Sequence, residues 1–184
     1  MAELGLGYCP RGVEVLTLVF FRGTRFLLGL EKSLNLCYHT YMTESLVVGR
    51  LIENGVPLPW KTKNKIRCAT EVKVIANRAD IVYFESQGNT GVGFIAAIEA
   101  KVHDWRRALQ QAYRDKLFAD RVYVALEEQY ANSAISQIAE FRRASVGLIT
   151  VNQDNVTVHF HPPVNTSLSP LHANRVREFL ATVN

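Results

Sequence analysis

One stretch of the sequence constrains the fold more than any other. An apolar segment at 94–98, a helical pattern that Asp104 can cap, and a second apolar segment at 122–126 follow one another with very few linking residues. A strand, a helix and a strand joined so tightly are typical of a right-handed crossover with parallel strands. The chain therefore belongs to a class in which helices pack on a sheet.

Patterns on both sides of this unit extend the sheet and add helices. The apolar spacing and turn residues predict a helix over 42–54, strands at 70–75 and 79–84, a helix over 133–143, strands at 147–151 and 156–161, and a helix from Pro170. Asn77-Arg78 is the expected turn between the first two strands, and Ser169 is the expected cap of the last helix. We predict an α/β fold with a mixed central sheet flanked by helices in a single domain.

The expected organisation is an N-terminal extension over 1–40, a core over 41–161 and a C-terminal helical segment over 162–184. Within the extension, apolar runs at 13–21 and 25–30 fit either a hairpin or a buried helix, and we favour strands. We expect this extension to pack on the core.

Composition places the protein among globular chains. Of its 184 residues, 48% are apolar and 21% are charged, and the formal net charge of +4 permits a polyanionic partner without requiring one. No segment resembles a signal peptide or a membrane span. Three widely spaced cysteines, Cys9, Cys37 and Cys68, indicate buried thiols in a reducing compartment, so we expect a cytoplasmic protein without a membrane partner.

Polar residues interrupt two of the predicted strands where chemistry could take place. Asp80 opens one strand, and Glu99 and Lys101 close the next, on one face because side chains alternate. If the hairpin turns between Asn89 and Thr90, Asp80 lies opposite Glu99, with β-carbons about 5 Å apart. Two carboxylates this close are costly in an apolar sheet unless a cation lies between them, and oxygen ligands suit Mg²⁺.

These residues carry a resemblance to a known family. Asp80, the sequence Glu99-Ala100-Lys101, a following helix with Gln110-Gln111 and the segment 118–126 resemble the PD-(D/E)XK nuclease superfamily, which has the restriction-endonuclease-like fold. The resemblance covers roughly 44–161, and 80–126 is its specific part. It departs from the family pattern at Ala79, where a proline often precedes the first acidic residue.

The resemblance implies a metal-dependent DNA phosphodiesterase of the endonuclease type. Asp80 and Glu99 would bind Mg²⁺, or alternatively Mn²⁺, and the carbonyl oxygen of Ala100 would be a further ligand. Lys101 would orient or help to deprotonate the attacking water, or offset charge on the phosphate oxygens. A glutamine on the next helix, best matched by Gln111, would contribute to catalysis.

Two further groups of residues complete the expected site. A glutamate on the preceding helix can join such a site, and Glu44 is the first candidate, before Glu53. Arg107 and Arg114 share a helix stripe with Gln111 and, with Arg78, would bind the phosphates of DNA, although RNA is also compatible. Many such nucleases dimerise to cut two strands, so a homodimer is a further expectation.

Simpler interpretations stand beside each of these predictions. Glu99 and Lys101 could be an exposed ion pair on an edge strand, Gln111 a surface residue, and the arginines a solvated helix face. At the level of function, the alternatives are a catalytically silent nucleic-acid-binding or regulatory module of the same fold, and a protein-interaction domain. Metal dependence and salt-dependent DNA binding discriminate among the three.

Overall fold

The computed structural model describes residues 5–8, 14–17, 43–59, 63–74, 77–87 and 91–182. The strands are β1 Gly5–Tyr8, β2 Glu14–Thr17, β3 Lys65–Val74, β4 Asn77–Gln87, β5 Gly91–Lys101, β6 Arg121–Glu127, β7 Gly147–Val151 and β8 Val156–Phe160. The helices are α1 Glu44–Asn54, α2 Trp105–Asp115, α3 Asn132–Ser136, α4 Ile138–Ala144 and α5 Pro170–Thr182, with a short 3₁₀ helix at Glu128–Tyr130.

The strands form a single mixed sheet whose spatial order follows the chain, from β1 to β8. Neighbouring strands are parallel in the pairs β2–β3, β5–β6 and β6–β7, and antiparallel in the other pairs. The parallel strands β5 and β6 are connected through α2, as the spacing of apolar segments predicts. The predicted α/β fold, a mixed sheet flanked by helices, is confirmed.

Helices cover both faces of the sheet. On one face, α1 buries Val47 and Leu51 in a cluster that includes Ile81 and Ile98. On the other face, the small residues of α2 allow it to pack closely on β4, β5 and β6, and α4 and α5 complete this second layer. The sheet therefore has a core on each side, and β4 and β5 lie in its interior.

Local sequence signals determine where the helices begin and end. The side chain of Thr43 accepts a hydrogen bond from the amide of Leu46 at the start of α1, and Asp104 does the same for the amide of Arg107 at the start of α2. Helix α1 ends at Gly55, whose φ of 68° lies in the left-handed region that favours glycine. The caps thus fix the entry of both helices that approach the site.

Two local predictions are wrong. Asn77 and Arg78 belong to β4 rather than to a turn, because the antiparallel pairing of β3 and β4 continues as far as Val74 and Asn77. The predicted helix over 133–143 is divided into α3 and α4 at Gln137, whose φ and ψ of −106° and 27° are not helical. The Ser136 hydroxyl donates to the carbonyl of Asn132, a side-chain bond that competes with the regular helix.

Part of the N-terminal extension joins the sheet. Strand β2 is parallel to β3, where Glu14 pairs with Arg67, and β1 pairs antiparallel with β2. Strand structure is therefore present at Glu14–Thr17, whereas the apolar run at 25–30, Cys9 and Cys37 lie outside the described residues. Cys68 is a buried thiol of β3. In the described part of the chain, no helix combines the length and the apolarity needed to cross a membrane.

Candidate active site

The ladder between β4 and β5 places Asp80 beside Glu99. Its last backbone pair on this side is Ile81 with Ile98, and the register continued by one residue reaches Asp80 and Glu99. At this point the Asp80 carboxylate replaces a backbone acceptor, because its Oδ2 accepts a hydrogen bond from the amide of Ala100 at 2.8 Å. The two acidic residues therefore meet where the strands separate, at the register that the sequence predicts.

The hairpin reaches this register by a route that differs from the prediction. Near the turn, whose residues 88–90 lie outside the described residues, Gln87 pairs with Gly91, one position away from the register that a turn between 89 and 90 predicts. Gly93 and Phe94 of β5 together oppose one residue of β4, Glu85, and this bulge shifts the register by one. The one-residue shift at this bulge compensates for the offset near the turn. The register beyond the bulge is therefore the one that brings Asp80 opposite Glu99.

Glu99 and Lys101 form the buried centre of the site. Only 2% of Glu99 is exposed, and the Lys101 Nζ lies 3.0 Å from the Glu99 Oε1 and 3.0 Å from the Glu44 Oε2. Strand alternation places Glu99 and Lys101 on the α2 side of β5, in line with Ala97. The interpretation as an exposed pair on an edge strand is wrong, because β5 lies between β4 and β6.

Electrostatics in this cluster favour neutral carboxyls. Burial, with a further contribution from the charge of Asp80, raises the pKa of Glu99 to about 7. Burial also raises the pKa of Asp80, although the Ala100 amide and Lys101 act against this shift. Burial opposes the charged form of Lys101, but its hydrogen bonds to Glu99 and Glu44 hold the Lys101 pKa above its usual value. Lys101 is thus charged at neutral pH and faces several acidic groups.

Helix α1 supplies a third acidic side chain to this cluster. Glu44 lies in the first turn of α1, where a negative charge also complements the helix dipole, and reaches Lys101 from there. Glu53 is exposed in the last turn of the same helix, about two and a half turns away. Of the two candidates on this helix, the structure brings Glu44 to the cluster.

Helix α2 supplies two more polar side chains. The Oε1 of Gln111 is buried and has no hydrogen-bond partner within the described part of the chain, and the same is true of the Oδ2 of Asp115, one helical turn further on. Only 2% of Asp115 is exposed. Burial, followed by the charges of Glu99 and Asp80, raises the pKa of Asp115 to about 8. Asp115 therefore belongs electrostatically to the cluster.

Sequence reasoning missed Asp115, although a signal was available. The buried positions of α2 are 105, 108, 112 and 115, a regular apolar spacing whose last position carries an aspartate. A charged residue at such a core position is rare without a partner or a function. The same spacing also explains Gln111, which lies at the edge of the buried stripe.

The three predicted phosphate-binding arginines are exposed. Arg107 and Arg114 lie on the outer side of α2, near the edge that carries Gln111. The positive charge of Arg114 acts to lower the pKa of Asp115, which places this arginine within electrostatic range of the acidic cluster. Arg78 forms an ion pair with Glu71 at 2.5 Å, at the surface of β3 and β4.

The carboxylates of the cluster face an ammonium group in this structure. Across the described residues, no group of three or more His, Cys, Asp or Glu side chains is arranged to hold a metal ion. The Lys101 ammonium lies between Glu99 and Glu44 instead. The donor chemistry nevertheless fits Mg²⁺, which prefers carboxylate and carbonyl oxygens and keeps several waters, and the unpartnered oxygens of Gln111 and Asp115 leave acceptors for such waters.

Comparisons with known proteins give little beyond the geometry. No protein-family model matches the sequence, and no curated protein matches it. Among solved structures, a protein of unknown function from Silicibacter pomeroyi is similar over 64% of this chain and 75% of its own, with 17% sequence identity and a TM-score of 0.43. A similarity of this size carries no functional inference.

Proposed function

We propose that this protein is a divalent-cation-dependent phosphodiesterase that hydrolyses DNA, with Asp80, Glu99 and Lys101 as its central residues. The observation that carries the proposal is the meeting of Asp80 and Glu99 at the end of the β4–β5 ladder, with the Lys101 Nζ 3.0 Å from Glu99. This arrangement agrees with the resemblance of these residues to the PD-(D/E)XK superfamily. The proposed cofactor is Mg²⁺, for which Mn²⁺ can substitute.

Asp80 and Glu99 are the side chains that would hold the cation, with the carbonyl oxygen of Ala100 beside them. When bound, a divalent cation supplies Lewis-acid activation of the phosphate and lowers the pKa of a water molecule. Burial raises the pKa of both carboxyls, and the charge of Asp80 raises the pKa of Glu99 further, so a positive ion between them would relieve an unfavourable arrangement. A bound cation would therefore stabilise the ionised form of both acidic groups.

Lys101 acts as a fixed positive charge in this proposal. Its raised pKa keeps the ammonium protonated at neutral pH, which favours the stabilisation of negative charge on phosphate oxygens over the acceptance of a proton from water. Glu44 restrains the Lys101 Nζ from the opposite side at 3.0 Å. The pair of contacts thus holds the ammonium in position next to Glu99.

Gln111 and the exposed arginines connect this centre to the substrate. Gln111 presents its side chain from α2, the helix that covers the same face of the sheet as Glu99. Arg107 and Arg114 continue from Gln111 along the surface of α2, and positive side chains at such a rim bind phosphates without reading the sequence. Arg78, whose ion pair with Glu71 is exposed, can exchange this partner for a phosphate at little cost.

The decisive experiment is a cleavage assay with the purified full chain. Plasmid, linear and branched DNA, and RNA in a separate reaction, are incubated with Mg²⁺ or Mn²⁺ at millimolar concentration. We expect metal-dependent cleavage, and a loss of about 10²–10⁴-fold in the Lys101→Ala variant because the fixed charge is removed. Glu178→Gln, an exposed change on α5, is the matched control and should cut like the wild type. Wild-type protein that leaves every substrate intact contradicts the catalytic proposal.

A second candidate function has one observation in its favour. The ammonium of Lys101 already forms ion pairs with Glu99 and Glu44, so part of the acidic charge is neutralised without any metal. This favours a catalytically silent nucleic-acid-binding or regulatory module. Binding of DNA that persists in a chelator, combined with no cleavage in Mg²⁺ or Mn²⁺, would establish this second function over the first.

A further inference from the structure

Asp115 is the feature of the site that neither the cation-binding pair nor the resemblance accounts for. It is the last residue of α2, only 2% of it is exposed, and its Oδ2 has no hydrogen-bond partner among the residues that the structure describes. A buried carboxyl oxygen without a donor costs free energy comparable to a lost hydrogen bond. Such a group in a folded protein requires an explanation.

A second unpartnered oxygen lies on the same helix. The Gln111 Oε1 is buried four residues earlier, and residues four apart are neighbours on one face of a helix. With Asp115 ionised, as it would be beside a bound cation, both oxygens are acceptors and neither can donate to the other. In that state the α2 wall of the site presents two acceptors for which the described residues supply no donor.

The position of Asp115 identifies what kind of donor is suitable. Asp115 continues the buried face of α2, which packs on the side of β4 and β5 that carries Asp80 and Glu99. The charges of these two residues act to raise the pKa of Asp115. An anion or a neutral phosphate ester oxygen would only add acceptors to this space. A hydrated divalent cation supplies both positive charge and water O–H donors, and Mg²⁺ typically keeps several of its waters in proteins.

We propose that Asp115 and Gln111 form the α2 wall of the cation site and accept hydrogen bonds from the water shell of a divalent ion held at Asp80 and Glu99. This inference rests on the proposed function and adds a positioning residue, Asp115, to it. It agrees with the finding that no three His, Cys, Asp or Glu side chains of the described residues are grouped to hold a metal ion, because Asp115 would act through water and not as a third ligand. Partners of this outer kind contribute about 10–100-fold to metal affinity.

The test measures Mn²⁺ binding to the full chain without DNA, from the free Mn²⁺ signal in electron paramagnetic resonance at neutral pH. We compare the wild type with Asp115→Asn, which keeps the shape and removes the charge, and with Asp154→Asn, an exposed change in the connection between β7 and β8. We expect Asp115→Asn to weaken Mn²⁺ binding by about 10–100-fold and Asp154→Asn to leave it unchanged.

A further variant keeps the test decisive if Asp115→Asn does not fold. Gln111→Met removes the other acceptor oxygen and should also weaken Mn²⁺ binding by at least about tenfold. The inference is overturned if the folded Asp115→Asn variant binds Mn²⁺ within twofold of the wild type. If only the Gln111→Met variant folds, the same result in that variant overturns it. The proposed function stays intact in either case. A wild type that does not bind Mn²⁺ overturns both.

Discussion

Two charged groups lie at the carboxyl ends of neighbouring parallel strands, and they differ in balance. At the end of β6, the Nη1 of Arg50 lies 2.9 and 2.8 Å from the two carboxylate oxygens of Glu127 on the α1 side of the sheet. At the end of β5, on the α2 side, Glu99, Asp80 and Asp115 carry raised pKa values around Lys101. In the first group one positive charge faces one negative charge, whereas the second group has more acidic side chains than basic ones.

This difference indicates what each group is for. A buried pair whose charges match contributes to the fold, and removal of either partner leaves an uncompensated charge. A buried cluster with excess carboxylates lowers the free energy of unfolding at neutral pH, because burial favours the protonated form of each carboxyl group. Proteins retain such unfavourable groups mainly at functional sites. The contrast therefore supports a functional role for the β5 cluster and a structural role for the Arg50–Glu127 pair.

The largest expected effect comes from Glu99→Gln. The rate of metal-dependent cleavage should fall by more than about 100-fold in this variant. This exceeds the loss of metal affinity, about 10–100-fold, that is typical when a residue contacts only a metal ligand and not the metal. Its melting temperature at pH 8 should rise, because a buried acidic group is replaced by a neutral one. Cleavage rates and thermal melts check both effects. A folded variant with wild-type cleavage would remove the central residue from the proposal.

The opposite outcome is expected for Glu127→Gln at the balanced pair. Arg50 then lacks its carboxylate partner, and the free energy of unfolding should fall by about 3 kcal/mol, or roughly 6–12 °C in Tm. Specific activity of the remaining folded protein should be close to that of the wild type. A rise in Tm on this substitution would contradict the structural role of the Arg50–Glu127 pair, and with it the contrast to the acidic cluster of β5.

The pH dependence of stability is the next largest effect. The folded protein holds the protons of Glu99 and Asp115 up to about pH 7 and 8, whereas the unperturbed groups release them near pH 4.5 and 3.8. Their stabilising contribution is therefore complete at acidic pH and is lost as the pH rises through 7 and 8. In thermal melts between pH 5 and 8.5, the advantage of the Glu99→Gln/Asp115→Asn double variant over the wild type should grow with pH. If the difference in melting temperature between the double variant and the wild type becomes smaller as the pH rises, the assignment of raised pKa values to these two groups is contradicted.

The smallest effect concerns the exposed arginines at the rim of the cluster. Arg107→Ala and Arg114→Ala should each weaken DNA binding similarly for all sequences and reduce the slope of log affinity against log salt by about 1. Binding titrations at several salt concentrations measure this slope. Arg175→Ala on α5, which is exposed on a different helix, is the control and should leave the slope unchanged.

Much of the fold followed from local patterns. The apolar spacing of residues 94–126 was sufficient to predict the β5–α2–β6 unit, because a tight strand–helix–strand connection has few solutions. The register that brings Asp80 opposite Glu99 was also predicted, although the pairs next to the turn are offset by one residue and the bulge at Gly93 and Phe94 compensates for that offset. Such compensation depends on the close packing of Gly93 against Glu85 and Gln87, which no local pattern reveals.

Other features depend on tertiary contacts. The choice of Glu44 over Glu53 required the packing of α1 on the sheet, which brings only the first turn of this helix to Lys101. The break at Gln137 required the competing hydrogen bond of Ser136. Asp115 could have been identified as a charged residue at a core position of α2, but its proximity to Glu99 came from the way this helix lies on β5.

The most direct test of the account is a crystal structure of the full chain grown with Mn²⁺ and recorded for anomalous scattering. We predict an anomalous peak within about 2–2.5 Å of carboxylate oxygens of both Asp80 and Glu99. An ordered protein in millimolar Mn²⁺ with no peak at this position, and with Lys101 still paired to Glu99 and Glu44, would contradict the claim that the acidic excess of β5 is a cation site.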